Sequence, residues 1–289
     1  MQRGTALVTG SSSGFGLRTC VALCARGFKV YASMRDLDRA QPLRAALDAS
    51  GFGRSRVELV TLDVTNAGQR DALVEQILAA EGAVDVLVNN AGMMFTGFAE
   101  ERSEADLRQQ FDTNFFGLVA LTLALLPAMR ERRHGRVINV SSVAGRSAIP
   151  AHSAYCASKF ALEGWSESLR YELVPYNVFV SLVEPGMFPT EIFGRNQVRP
   201  SSSAATDQQQ PRAVHARVRA ALELDTQRLQ TLLSFADPDR VAGVIANVAL
   251  AARPRLRYPV GIDAWLATLT PHSLAQAWWE ARITQLFQR

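Results

Sequence analysis

A tyrosine and a lysine stand four residues apart in the stretch SAYCASKF, residues 153–160. Only two of the chain's 31 basic residues are lysines, Lys29 and Lys159, and Lys159 is the one that follows Tyr155. Positions four apart share one face of a helix, so the ammonium would lie near the phenol. A nearby positive charge lowers the pKa of a phenol, which makes this pair a candidate proton donor and acceptor. Taken alone, the pair also suits an ordinary amphipathic helix with a core tyrosine and a surface lysine.

The elements that would position this pair follow an alternating pattern. Short apolar runs at 5–10, 29–34, 57–64, 84–92, 136–142 and 178–186 predict strands, and segments of helical period at 14–26, 37–49, 67–80, 103–133 and 153–173 predict helices. This order indicates a parallel sheet with helices on both faces. We therefore predict a Rossmann-type, doubly wound α/β fold of about seven strands, the last at 257–261, in one domain spanning residues 1–289.

The composition changes after Pro185. The segment 195–213 is polar and rich in Ser, Gln and Pro, and partly apolar segments flank it. A long excursion at this point of a compact domain is typical of a functional lid, so residues 187–235 are predicted to cover a substrate site. A further helix is predicted at 237–252. Residues 262–289 are predicted to form a C-terminal helical extension.

A glycine-rich loop joins the first strand to the first helix. TGSSSGFG, residues 9–16, would turn tightly and present the free N–H groups of a helix N-terminus to a pyrophosphate. The competing interpretation is a turn that needs glycine only for packing. The predicted cofactor-binding residues of this loop are Gly10, Ser11, Ser12, Ser13, Gly14, Phe15 and Gly16.

The end of the second strand bears on the choice of cofactor. An acidic residue there would accept hydrogen bonds from a ribose 2′-hydroxyl and repel a 2′-phosphate. This chain has Met34 followed by Arg35, whose guanidinium can pair with a phosphate through two hydrogen bonds. A shift of one residue would place Asp36 there instead, so NADP(H) is favoured and NAD(H) is the alternative.

Composition limits the other classes of function. The net charge is +4 and the pI is about 9.2, but the arginines are spread along the chain, so we predict no nucleic-acid partner. The three cysteines have no disulfide or metal-ligand spacing, and neither do the four histidines, so no metal is expected. We expect no stretch long and apolar enough to span a bilayer. The residues MQRGTALVTG lack the charged segment and apolar run of a signal peptide, so none is expected. A cytoplasmic protein is predicted.

Several motifs occur together in a characteristic order. TGSSSGFG, LDV (62–64), NNAG (89–92), Asn114 in DTNFFG, NVSS (139–142), YCASK (155–159) and PGMFPT (185–190) resemble those of the short-chain dehydrogenases/reductases, in their short single-domain type. The resemblance is strong over about residues 4–190. Within the family, KVYASMRDL and YCASKFALEGWSESL are most similar to 17β-hydroxysteroid dehydrogenase type 1 and retinol-dehydrogenase-like members.

The resemblance implies roles for individual residues. Tyr155 would be the catalytic acid/base, Lys159 its partner, Ser142 the group that polarises the substrate oxygen, and Asn114 a helper in the proton relay. Asp63 and Val64 would meet adenine, and Thr190 would cap the nicotinamide carboxamide. The remaining cofactor-binding positions that it implies are Asn90, Ala91, Gly92, Pro185, Gly186 and Phe188.

Apolar side chains follow the predicted strand ends, where open parallel sheets bind ligands. The predicted substrate-binding residues are Met93, Met94, Val143, Ala144, Ile149 and Met187. Together with the resemblance, they predict an oxidoreductase that transfers hydride between NADP(H) and a hydrophobic ketone or secondary alcohol, such as a steroid, a retinoid or another bulky carbonyl compound. The alternative is a catalytically silent NADP(H)-binding redox sensor. By the same resemblance, helices 103–133 and 153–173 would form the interface of a homodimer or homotetramer.

Overall fold

The computed structural model describes residues 3–51, 56–190, 192, 197–198, 218–222, 224, 237–270 and 272–288. Its strands are β1 (Thr5–Val8), β2 (Lys29–Met34), β3 (Val57–Thr61), β4 (Val86–Asn89), β5 (Met94–Phe95), β6 (Gly135–Val140), β7 (Val178–Pro185), β8 (Gln197–Val198) and β9 (Arg257–Val260). Its α-helices are α1 (Gly14–Ala25), α2 (Gln41–Ser50), α3 (Ala67–Glu81), α4 (Glu104–Phe111), α5 (Gly117–Glu131), α6 (Ser153–Leu173), α7 (Pro238–Leu250), α8 (Ile262–Leu269) and α9 (His272–Gln288).

Seven strands form one sheet in the order β3-β2-β1-β4-β6-β7-β9, and every neighbouring pair is parallel. All residues of β1, β4, β6 and β7 are buried, because helices cover both faces of the sheet. The predicted doubly wound α/β fold is confirmed. The chain continues from β1 to β2 on one side and reaches β4 on the other. The ends of β1 and β4 therefore form the switch point at which such sheets bind ligands.

The sheet separates two apolar cores, because successive side chains of a strand point to opposite faces. On one face Ala6 and Val8 belong to a cluster with Leu23 of α1 and Ile245 of α7. On the other face Leu7 belongs to a cluster built from α3, α5 and α6, with Leu73, Ile77, Leu121, Leu125 and Leu169. These cores fix the strand ends that carry the site.

The predicted helix over 103–133 is continuous but not uniform. A π-helical turn, Asp112–Phe116, joins α4 to α5 and contains the buried Asn114. Single π turns within helices often occur at functional sites.

The same helix corrects one sequence-based expectation. Among the described residues, the 28-residue helix Glu104–Glu131 is long and apolar enough to cross a membrane, with a mean hydropathy of 1.5 over its most apolar window. The expectation that no stretch meets this standard is wrong. Length and composition alone do not distinguish such a helix from a core helix, and Leu121, Leu125 and Met129 here pack into the core of the domain.

The predicted lid, residues 187–235, falls mostly outside the described residues. Its described parts are 187–190, 192, β8, a short helical segment at 218–222, and 224. The predicted C-terminal extension comprises α8 and α9.

Candidate active site

The glycine loop is fixed across the switch point by hydrogen bonds from the residues after β4. Asn90 Nδ2 donates to the carbonyls of Thr9 (2.9 Å) and Gly10 (3.1 Å), and the Ala91 N–H donates to Thr9 Oγ1 (2.9 Å). A Cβ at Gly10 would lie 2.9 Å from the Ala91 Cα, and its φ of 69° also favours glycine. The loop thereby holds the start of α1 at the edge of a cleft, as binding of a pyrophosphate requires.

Two loop residues are not placed as the sequence predicted. Ser11 is fully buried, and its hydroxyl donates to the Val8 carbonyl (2.9 Å) instead of facing the cleft. Gly16 packs against the loop itself, since a Cβ there would lie 2.2 Å from the Gly10 carbonyl oxygen. Neither residue lines the cleft, and both shape the loop. Direct contact of either residue with a cofactor stays a prediction.

The far end of the cleft carries two arginines. Arg35 is exposed directly after β2 and lines the cleft together with Arg39, which the sequence reasoning did not single out. The Asp36 carboxylate accepts a hydrogen bond from the Asp38 N–H (2.9 Å) and so caps the short helix that follows. This end of the cleft therefore offers guanidinium groups together with a carboxylate that is already engaged in helix capping.

Ser142, Tyr155 and Lys159 come together at the end of β6. Ser142 follows the strand, and its Oγ accepts a hydrogen bond from the Ala144 N–H (3.1 Å). Tyr155 and Lys159 lie on consecutive turns of α6, with Lys159 Nζ 5.8 Å from the centre of the Tyr155 ring. The Lys159 ammonium donates to the Val140 carbonyl (2.8 Å). A serine, a phenol and an ammonium therefore lie side by side in one cleft.

The pKa of Tyr155 departs from the sequence-based expectation. Burial raises it to about 12, while a hydrogen bond with Ser142 opposes this rise. Burial also lowers the pKa of Lys159 to about 8, and Glu163 opposes that change. Desolvation of the phenol is the largest cause, and the Lys159 ammonium is directed at the Val140 carbonyl instead of the phenol oxygen. The Tyr155 pKa therefore lies above its ordinary value in this structure, although Lys159 is nearby.

Asn114 makes hydrogen bonds to the segment that follows β4. Its Oδ1 accepts from the Met93 N–H (2.9 Å), and its Nδ2 donates to the Met93 carbonyl (2.9 Å) and lies 3.2 Å from Ser158 Oγ. The side chain does not line the cleft, and its amide holds the segment after β4. Its part in a relay stays a prediction.

The remaining end of the cleft is largely apolar. Met94 and Ala144 are buried in a small cluster with Tyr155 and Cys156, and Ile149 and Ile192 pack against that cluster. His152 also lines this end, with Nδ1 2.8 Å from the Pro150 carbonyl oxygen. Burial lowers the pKa of His152, which favours the neutral imidazole.

Segments distant in the sequence close the apolar end. β5 pairs in parallel with β8, and Arg102 reinforces the pairing with hydrogen bonds to the carbonyls of Thr96 and Val198. Arg219 pairs with Glu101 at the rim of the cleft. The Asp263 carboxylate accepts from the Met187 N–H (2.5 Å) and fixes the turn after β7. None of Arg102, Arg219 and Asp263 lies in a motif, so only their charge could have drawn attention to them.

The cleft has a volume of about 1060 Å³. Among the sequence-predicted site residues, those that line it are Gly10, Ser12, Ser13, Gly14, Phe15, Met34, Arg35, Asp63, Val64, Asn90, Ala91, Gly92, Met93, Met94, Ser142, Val143, Ala144, Ile149, Tyr155, Lys159, Pro185, Gly186, Met187, Phe188 and Thr190. Within the described part of the chain, no group of three His, Cys, Asp or Glu side chains is arranged to hold a metal ion.

Comparisons with known proteins agree with this geometry. Residues 4–200 match the family model described as short chain dehydrogenase. The chain belongs to the short-chain dehydrogenase/reductase family. It is an oxidoreductase of the kind that acts on CH–OH groups.

Two curated relatives belong to the subgroup that the sequence motifs indicated. Human retinol dehydrogenase 8 is 40% identical over 264 residues, covering 89% of this chain and 81% of that protein. Human 17-beta-hydroxysteroid dehydrogenase type 1 is 36% identical over 261 residues, covering 89% and 77%.

Two solved structures share the fold. A short-chain dehydrogenase from Streptomyces avermitilis is 34% identical, with a TM-score of 0.76, and the match covers 99% of this chain and 97% of that one. A metagenomic short-chain oxidoreductase in complex with NADP is 27% identical, with a TM-score of 0.67, and the match covers 90% and 96%.

Proposed function

We propose that this oxidoreductase uses NADP(H) to interconvert a bulky, apolar ketone and the corresponding secondary alcohol. One observation carries the proposal: a single cleft joins the glycine loop, the Ser142, Tyr155 and Lys159 group, and an apolar end. A nucleotide and a hydrophobic substrate would meet beside a proton donor. The names of the relatives, which include a retinol and a hydroxysteroid dehydrogenase, support an apolar substrate.

The preference for NADP(H) rests on the far end of the cleft. Arg35 and Arg39 would bind a 2′-phosphate through charge-assisted hydrogen bonds, whereas Met34 offers no acceptor to a 2′-hydroxyl. The carboxylate of Asp36, the residue that would favour NAD(H), already caps a helix. The NADP bound to the metagenomic relative supports the same choice.

A bound nicotinamide coenzyme would supply the hydride to the carbonyl carbon during reduction. Side chains of the protein would stabilise and protonate the carbonyl oxygen. The Ser142 Oγ accepts from the Ala144 N–H, and its hydroxyl is hydrogen-bonded with Tyr155. With a substrate between the two residues, the Ser142 O–H would donate to the carbonyl oxygen and stabilise the charge that develops there. Tyr155 would transfer its phenolic proton to that oxygen, and the alcohol would leave with one hydrogen on carbon and one on oxygen.

Lys159 would stabilise the phenolate that this transfer leaves behind. Lys159 is 5% exposed, so the attraction acts at a low local dielectric and is stronger than in water. In the oxidation direction, the same charge would help Tyr155 to act as a base.

A panel of carbonyl compounds tests the substrate class. We expect bulky apolar ketones to have a higher kcat/KM than short or charged ketones, because the former fill the end lined by Met93, Met94 and Ile149. The same panel with NADH should give a lower kcat/KM throughout. Reduction that is fastest for short polar ketones, or equal use of both coenzymes, would reject this part of the proposal.

We further propose that the protein is a cytoplasmic homodimer or homotetramer joined through the helix Glu104–Glu131 and α6. Exposed apolar side chains on these helices support this surface, among them Leu107, Phe116, Leu123, Phe160 and Tyr171. Light scattering after gel filtration should give a mass of two or four chains. The variant Phe116→Arg should lower that mass, and a monomeric wild type would contradict the proposal.

A further inference from the structure

A cluster of charged side chains that do not line the cleft begins one turn along α6 from Lys159. Glu163 lies one turn further along α6, and Glu184 lies near the end of β7. Glu163 is 5% exposed and Glu184 is 1% exposed. Two buried carboxyl groups beside a functional lysine call for a physical explanation, because burying unpaired charge is costly.

Two arginines face these carboxyl groups. Arg257 Nε lies 3.1 Å from Glu163 Oε2 and 3.3 Å from Glu184 Oε1, and its hydrogen bond is made to Glu163. Arg257 also donates to Glu167 (2.8 Å), and Arg146 lies 3.6 Å from Glu184. Glu163 therefore holds a good charge-assisted hydrogen bond, whereas Glu184 has only looser ion pairs.

The two carboxyl groups also differ in what remains unpartnered. Within the described part of the chain, neither oxygen of Glu184 has a hydrogen-bond partner, whereas Glu163 lacks one only at Oε1. Burial and the charge of Glu163 raise the pKa of Glu184 to about 7. Burial raises the pKa of Glu163 as well, but the charge and hydrogen bond of Arg257 oppose that rise. Because Arg257 makes its hydrogen bond to Glu163, Glu184 is the member that favours the protonated form near neutral pH, which leaves the negative charge on Glu163.

Glu163 is placed to act on Lys159 through this charge. The two residues are four apart on α6, a spacing that brings side chains of a helix together. Burial lowers the pKa of Lys159, and the attraction of Glu163 opposes that effect. The titratable and charged groups packed around this part of α6 are Tyr155, Lys159, Glu163 and Glu167 on the helix itself, Arg146 after β6, Glu184 on β7 and Arg257 on β9.

We propose that Glu163 is a positioning residue that keeps Lys159 an ammonium, and that Glu184 holds a proton so that the pair carries one negative charge. The proposal rests on the role given to Lys159 in the proposed function. The cluster would set the pH above which Lys159 loses its proton and no longer stabilises the Tyr155 phenolate.

The experiment is an NMR titration of the lysine side chains, made possible by the two-lysine sequence. Protein labelled with ¹³C at lysine Cε gives two side-chain signals, and Lys29→Arg assigns them. Glu163→Gln should lower the pKa of Lys159 by about one unit, as expected for the loss of a neighbouring opposite charge. Glu163→Asp keeps the charge, so its Lys159 pKa should lie close to the wild-type value.

Two matched controls separate charge from packing. Glu184→Gln mimics the protonated carboxyl and should leave the Lys159 pKa within a few tenths of a unit. Glu167→Gln, one turn further along the same helix, also removes a partner of Arg257. It should likewise leave the Lys159 pKa within a few tenths of a unit. An unchanged Lys159 pKa in Glu163→Gln, or an equal drop in Glu184→Gln, would overturn the proposal.

The titration needs neither cofactor nor substrate, so its result is independent of whether the proposed reaction is right. Should Glu163→Gln not fold, the wild-type titration decides. An ammonium held by Glu163 keeps its proton to about pH 8. A wild-type Lys159 that loses its proton below pH 7 would overturn the proposal by itself.

Discussion

The two ends of the cleft are built in different ways. The nucleotide end is made of strand ends and a glycine loop, joined by hydrogen bonds between residues that follow β1 and β4, such as Thr9 and Asn90. The apolar end is assembled from β5, β8, the turn after β7 and the segment at 218–222, which are held by the side chains of Arg102, Arg219 and Asp263. Backbone geometry shapes the first end, and individual side chains hold the second.

This difference suggests which changes each end tolerates. The nucleotide end depends on conformations that the fold imposes, so single side chains there tune the choice of cofactor. At the apolar end, the loss of Arg102 or Arg219 removes side-chain contacts that hold two distant segments together. The catalytic group lies between the two ends on β6 and α6, which belong to the rigid core, and substitutions there should have the largest effects.

Tyr155→Phe should have the largest effect of all. It removes the proton donor and leaves the ring in place, so we expect kcat to fall about 10³-fold, within the range for loss of a general acid. The affinity for NADPH, measured by fluorescence titration, should stay within a few-fold. A phenylalanine variant with substantial turnover would refute the assigned mechanism.

Lys159→Arg should lower kcat/KM about 10²-fold, because a guanidinium cannot take the compact position of the ammonium at the Val140 carbonyl. Lys29→Arg is the matched control, since Lys29 is paired with Glu81 away from the cleft, and it should leave activity unchanged.

In the wild type, kcat/KM for reduction should fall as the pH rises through about 8, where Lys159 loses its proton. A profile that is flat to pH 10 would contradict this role.

Arg35→Ala should weaken NADPH binding roughly 10- to 100-fold and leave NADH binding nearly unchanged, because only NADPH carries the 2′-phosphate. Arg44→Ala on α2, outside the residues that line the cleft, serves as the control. The measurement is the dissociation constant of NADPH and of NADH for the wild type and both variants. Equal losses for NADPH and NADH would show that Arg35 does not contact the phosphate.

Arg102→Ala should affect only the apolar end. Its guanidinium ties β5 to β8, so its loss should raise KM for a bulky ketone about threefold to tenfold while the NADPH affinity stays unchanged. Arg108→Ala on α4, which removes an exposed pair with Glu104, should change neither quantity. A change in NADPH affinity that matches the change in KM would indicate that the two ends are not independent.

What the sequence could predict follows the same division. The strands of the seven-stranded sheet and the glycine loop were predictable from apolar period and spacing, which are local properties, and the Ser142, Tyr155 and Lys159 group was predictable from the family resemblance. The short strands β5 and β8 were not predicted. Ser11 was misplaced because neighbouring serines of one loop differ only in the direction of their side chains. Arg102, Arg219 and Asp263 act through partners far along the chain, which no local pattern indicates.

Burial accounts for the other difference. Spacing on a helix predicted that Lys159 lies near Tyr155, but not that desolvation raises the pKa of the phenol to about 12. The same limit applies to Glu163 and Glu184, since α6, β7 and β9 must pack before their carboxyl groups meet Arg257.

The central claim is that the two ends of the cleft bring a coenzyme and a ketone together beside Tyr155. Its most direct test follows deuterium from NADPH labelled at the transferable C4 position during reduction of a bulky apolar ketone. The account predicts one deuterium on the carbinol carbon of a single enantiomer, formed about 10³-fold more slowly when Tyr155 is replaced by phenylalanine. Tight NADPH binding without deuterium transfer to any carbonyl compound would contradict it and would favour a nucleotide sensor.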